Sequence, residues 1–163
     1  RNNRDLFRFK WAKRLYDFLF LEGRENLPGR ITKAGTWTTG AVEESCNYEG
    51  EVDYLEACNM AFRRKEFNQI GGFDERYGGI GDWSEPDASF RIKAYGKLWF
   101  NPKAKLYHNP SRSGAFAKRK RTGARLQNYW LFASRWIKPH WRHVLFKWFL
   151  RTYYGLKDMG VIQ

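Results

Sequence analysis

Residues 70–108 read IGGFDERYGGIGDWSEPDASFRIKAYGKLWFNPKAKLYH, and no other stretch of the chain limits its folding so tightly. The glycine pair Gly71-Gly72 closes the element before it. Pro86 suits the first turn of a helix, with Ser84 or Glu85 as its cap. Phe90, Ile92, Ala94 and Tyr95 give that helix an apolar side, and Gly96 ends it. Residues 97–100 and 104–107 read as short strands around Asn101-Pro102, and His108 follows. Carboxylates gathered at one helix start, with a histidine two elements later, point to a reaction centre more than to a packing unit.

The flanking sequence predicts a mixed fold. Leu6, Phe7, Trp11, Leu15, Phe18 and Leu19 recur at helical spacing through residues 4–23. Residues 24–50 read as a long loop with a short strand near 36–39, of a length that is often functional. Residues 52–62 read as a strand and 63–69 as a short helix. Leu126, Tyr129, Trp130, Ala133, Trp136 and Ile137 fit a helix stopped by Pro139, and residues 141–154 fit a second, aromatic one. At 163 residues this is one domain's worth of chain, and it begins at Arg1, the pattern of a processed product or a piece of a longer protein. Cys46 and Cys58 lack metal-ligand spacing and are too few for a disulfide scaffold, so free thiols in a reducing compartment are expected.

Charge divides the chain. Residues 1–87 carry 13 Lys and Arg against 16 acids, whereas residues 88–163 carry 17 against Asp158 alone. Such asymmetry fits a polyanionic partner: nucleotide phosphates, nucleic acid or an anionic membrane face.

Glu85 and Asp87 fall where a helix dipole favours negative charge. A carboxylate there can take a proton from a substrate hydroxyl within hydrogen-bond reach. Asp87 and Arg91 stand i,i+4 and pair, which leaves Glu85 the better base.

These residues also carry a family likeness. YLEACNMAFRR at 54–64, followed by IGGFDE at 70–75, resembles the family 2 glycosyltransferases of the GT-A fold. SEPDASFR at 84–91 is similar to that family's acidic motif and the helix after it, and Gly96, Asn101-Pro102 and His108 continue the pattern in order. The resemblance implies an α/β class: the C-terminal part of a GT-A (nucleotide-diphospho-sugar transferase) fold, followed by C-terminal amphipathic helices. Residues 1–112 would then be a partial catalytic domain with the acceptor and base half, and residues 113–163 a basic, aromatic helical extension.

The implied activity is inverting transfer from a nucleotide-diphosphate sugar to a glycan or lipid-linked acceptor, in cell-surface polysaccharide synthesis. By spacing from the following Asp-x-x-x-Arg, the base position is Glu85, where the family usually has Asp. Asn59, Arg63, Asp82, Trp83 and Asp87 fall on the acceptor or substrate side. His108 matches a position that binds the divalent cation in some relatives, a role neutral imidazole suits. No Asp-x-Asp occurs in the chain, so the main ligands of Mg²⁺ or Mn²⁺ would belong to a donor-binding half outside it.

Plainer roles stand beside these. Glu85 and Asp87 also fit helix-capping acids, Asp82 a solvated turn, and His108 a surface histidine. Trp83 suits core packing as well as a sugar ring. Arg63 fits a solvated helix face, and Cys58 a small buried residue. The run Lys118-Arg119-Lys120-Arg121 reads first as a solvated segment. Trp and Tyr interleaved with Arg and Lys over residues 129–154 suit a lipid headgroup region, giving a cytoplasmic protein peripheral on the inner membrane face. A basic nucleic-acid- or membrane-binding module without catalysis, or an inactive split fragment, are the rival readings. Nucleic acid is disfavoured, because no recognised binding signature is present.

Overall fold

The computed structural model describes residues 10–39, 47–107 and 122–159. Helices and small antiparallel sheets alternate along it, a mixed α/β content. Helix α1 (Lys10–Tyr16) runs into a π turn, Asp17–Leu21, that ends at Glu22 and Gly23, both left-handed. Strands β1 (Pro28–Ile31) and β2 (Trp37–Thr39) form a hairpin with Ile31 opposite Trp37. Strand β3 (Gly50–Val52) pairs antiparallel with β4 (Leu98–Phe100), Val52 opposite Leu98. Helix α2 (Arg64–Gln69) and helix α3 (Ser84–Ile92) lie between those two strands in sequence. Helices α4 (Thr122–Trp136) and α5 (Trp141–Asp158) complete the described chain.

Aromatic side chains dominate the main core. Phe20, Trp83, Tyr129, Phe132, Phe146, Tyr153 and Tyr154 gather around Ala34 and Leu150. The rings meet edge to face, as aromatic quadrupoles prefer: Trp37 and Trp83 centroids are 4.8 Å apart, and Phe90 and Phe132 5.6 Å. Tyr129 ties three segments together, donating its hydroxyl to the Ala34 carbonyl at 2.7 Å and standing 2.8 Å from His143 Nδ1. A smaller core of Val52, Ile92 and Leu98 lies under β3 and β4, flanked by Phe62, Phe67 and Ile70. Helix α3 contributes to both cores, through Phe90 to the main one and Ile92 to the smaller one. Helices α4 and α5 share the main core with Phe20, Ala34 and Trp83.

Several expectations from sequence need correction. The loop expected over 24–50 holds the short strand expected near 36–39, which is β2, but it also holds β1, which pairs with it as a hairpin. The strand expected over 52–62 stops at Val52, and a 3₁₀ turn, Ala57–Asn59, follows instead. Residues 104–107 carry no strand. The helix is present as α1 and the π turn, but across the two the apolar row Trp11, Leu15 and Phe18 is exposed, while Tyr16, Leu19 and Phe20 face the core. Both rows are apolar, so periodicity alone could not say which one turns inward.

Gly29 is needed for a close approach. Its φ is +63°, and a Cβ there would lie 2.8 Å from both the Val52 Cβ and the Tyr54 carbonyl oxygen. Its own carbonyl accepts from the Asp53 amide at 2.7 Å, joining the hairpin to the chain after β3. Gly71 has φ +76° with nothing within 4 Å of such a Cβ. Gly71→Ala should therefore cost only the left-handed backbone term, about 1–2 kcal/mol, and Gly29→Ala clearly more. Equal losses in thermal unfolding would show that the hairpin does not pack as closely as described.

Candidate functional site

The turn from Gly71 to Gly81 delivers the chain to α3 through a strained residue. Trp83, the N-cap, has φ +69°, an uncommon conformation for a bulky side chain. It is held there by its indole N–H, which donates to the Gly35 carbonyl at 3.0 Å, and by edge contacts with Trp37 and Tyr129. Trp83 is thus a core residue, 4% exposed. Neither Ser84 nor Glu85 is the cap; both lie inside the first turn, and Pro86 sits there as expected.

Glu85 and Asp87, two residues apart, have opposite environments. Asp87 has no exposed surface. Its Oδ2 accepts from Arg91 Nε at 2.8 Å, and its Oδ1 accepts from Arg135 Nη1 at 3.0 Å and the Trp136 indole at 2.8 Å. Arg135 Nη1 also reaches Asp74 Oδ2 at 2.8 Å, and Arg91 donates to the Ile70 carbonyl. The network locks the glycine turn, α3 and α4 together. It leaves Asp87 nothing to offer a substrate, so the acceptor-contact role expected of it gives way to a structural one.

Glu85 is half-buried, and no described cation pairs with it. Ser84 Oγ donates to its Oε2 at 3.3 Å. Burial, and then the nearby charges of Glu56 and Asp82, hold its carboxyl above the ordinary range; the Ser84 hydroxyl and its own backbone N–H only partly offset this. Glu56 accepts from the Tyr54 hydroxyl at 3.0 Å, whose ionisation burial and Glu56 both suppress. A carboxylate that holds its proton unusually well is a stronger base when ionised.

The other expected residues divide. Asp82 is clamped by Arg125, with Nε to Oδ2 at 2.8 Å and Nη2 to Oδ1 at 3.0 Å, and Arg125 also donates to the Tyr154 hydroxyl. Its charge still acts on Glu85, yet its oxygens are occupied. Asn59 is exposed and donates to the Ala104 carbonyl. Arg63 is exposed as the N-cap of α2. Cys58 is exposed rather than buried, in the 3₁₀ turn. His108, Cys46 and the run 118–121 lie outside the described residues.

Sequence reasoning assigned no role to Glu56 or Tyr54, although both sit in the YLEACN string that carries the resemblance. Arg135 and Trp136 left no local signal as partners of an aspartate 48 and 49 positions earlier. A cleft of about 710 Å³ borders the Asp87 network, lined by Ile70, Phe73, Asp74, Arg91, Arg135 and Trp136 among others, and Glu85 is not part of its lining. Among the described residues no group of three or more His, Cys, Asp or Glu side chains could hold a metal ion. No family model matches the chain, and no match was found among curated proteins or solved structures.

Proposed function

We propose that this chain is the acceptor-and-base half of an inverting glycosyltransferase of the family 2, GT-A type, acting from a nucleotide-diphosphate sugar onto a glycan or lipid-linked acceptor. The observation that carries the reading is the asymmetry at the start of α3. Asp87 is wholly consumed by Arg91, Arg135 and Trp136, while Glu85 faces acids, with no described cation, and its burial raises its proton affinity. A capping acid gains nothing from such surroundings, whereas a general base does.

In the step itself Glu85 takes the acceptor hydroxyl proton as that oxygen bonds to the anomeric carbon. The bond from that carbon to the diphosphate oxygen breaks on the opposite face, and the nucleotide diphosphate departs with the electron pair. The strained Trp83 turn and the Asp87 network fix the helix start, and with it the position of the carboxylate. The described residues contain no ligand set that fits the cation expected with the donor, so its main ligands would belong to the donor half. His108, outside the described residues, is the candidate this chain would contribute.

The test supplies the donor half and follows the product by NMR. An inverted anomeric configuration that Glu85→Gln suppresses is expected; retention of configuration would refute the reading. His108→Ala is expected to raise the Mn²⁺ or Mg²⁺ concentration needed for half-maximal activity, and an unchanged requirement removes His108 from the metal site.

A further inference from the structure

We infer that the outer face of α5, with Phe18 of the π turn and Trp130 of α4 beside it, seats on an anionic phospholipid surface. Helix α5 is apolar on two opposite sides. Phe146, Leu150, Tyr153 and Tyr154 point into the core. On the other side Trp141, Val144, Leu145 and Trp148, spaced by three, one and three, are 54, 53, 39 and 62% exposed. A helix whose core-facing side is already packed leaves a second, exposed apolar face that favours an environment other than water. Scattered exposed apolar side chains are ordinary, but a continuous row that includes two tryptophans marks an interaction surface.

The rim of the row is cationic. The Arg142 guanidinium lies 4.9 Å from the Trp141 ring centre and 5.5 Å from that of Phe18, which carries the surface across to the π turn. Lys147 Nζ sits 3.8 Å over the Trp130 ring, and Arg151 follows one turn along. Trp130, Val144, Lys147, Trp148 and Arg151 line a shallow hollow of about 230 Å³. No carboxylate occurs in the sequence between Asp87 and Asp158.

That charge pattern selects the occupant. Arg142 is already paired with Glu22 at 3.4 Å within the chain. A second copy docked about a two-fold axis would set Lys147 and Arg151 against cations like themselves, with no acid between Asp87 and Asp158 to pair them. Anionic headgroups supply the missing charge, while tryptophan rings settle at the acyl boundary and the Lys and Arg stems reach outward. No described helix is long and apolar enough to cross a membrane, so α5 would lie in the interface plane.

The test is flotation of the full 163-residue chain with vesicles of phosphatidylcholine alone or with about 30% phosphatidylglycerol. Binding to the anionic vesicles, weakened by salt, is expected. The pair Trp141→Ser and Trp148→Ser should weaken it at least about tenfold, as should Lys147→Glu with Arg151→Glu. All four positions are exposed, and circular dichroism checks that each variant stays folded. Equal partition onto neutral vesicles, or undiminished binding by the folded variants, overturns the proposal. So does a dimer in wild type that the tryptophan substitutions dissolve, since it assigns the face to a second copy. None of these outcomes depends on sugar transfer, so failure here and failure of the Glu85 reading are separable.

Discussion

Glu85→Gln is expected to lower sugar transfer by about 10²–10⁴-fold, the usual contribution of a positioned general base, and at the same time to raise thermal stability near neutral pH. The two effects share one cause. Burial and the charges of Glu56 and Asp82 hold the folded-state pKa of Glu85 above its ordinary value of 4.5. Protonated Glu85 therefore favours the folded state. That contribution is complete below the unfolded pKa and is lost as pH rises through the folded one. At pH 7 wild type carries the penalty of an ionised, partly buried carboxylate, and the neutral glutamine does not. The stability gain should accordingly vanish below pH 4.5, where both side chains are neutral. Melting curves of the two proteins across this range, beside turnover at neutral pH, separate the possibilities. A capping acid would lose stability and leave chemistry intact. The acidic limb of the rate profile should also lie above the ordinary glutamate range, for the same reason.

Asp87→Ala should be the most damaging single substitution to the fold. Removing one partner of a buried ion pair costs about 3–5 kcal/mol, because the remaining charge stays buried and uncompensated. Here two guanidinium groups and an indole N–H lose their acceptor together. For a chain of this size the loss corresponds to a fall of about 6–20 °C in melting temperature. Asp87→Asn keeps the shape and one acceptor oxygen and should fall between wild type and alanine. An aspartate that served an acceptor instead would lose activity in Asp87→Asn with little change in melting, and that outcome would sink the structural assignment.

Local signals carried much of this fold. Pro86 after a polar pair placed the start of α3, Pro139 placed the break between α4 and α5, and Gly96 placed the end of the α3 region. Each acts through its own backbone, so neighbours in sequence suffice to read it. What depended on distant partners stayed hidden. Strand β1, the partner of the strand read near 36–39, is four residues long and shows little alternation to read. Across α1 and the π turn there are two apolar rows, and only the placement of Phe146 and Phe149 against Phe20 decides which one is buried. At the candidate site the i,i+4 spacing revealed the Asp87–Arg91 pair and so singled out Glu85. Nothing near Glu85 in sequence announced Glu56, because that carboxylate arrives through the path of the chain after β3.

The bonds from Trp136 and Arg135 to Asp87 also set an order of events on the ribosome. At about 5–20 residues per second, the 49 positions separating Asp87 from Trp136 take roughly 2–10 s to synthesise. Throughout that interval α3 has its aspartate but only Arg91 to meet it, and the aromatic partners Phe132 and Trp136 of Phe90 do not yet exist. The nascent segment must therefore stay hydrated and open until α4 emerges. A message truncated between these codons would yield a chain unable to close its core and prone to capture by chaperones or proteases.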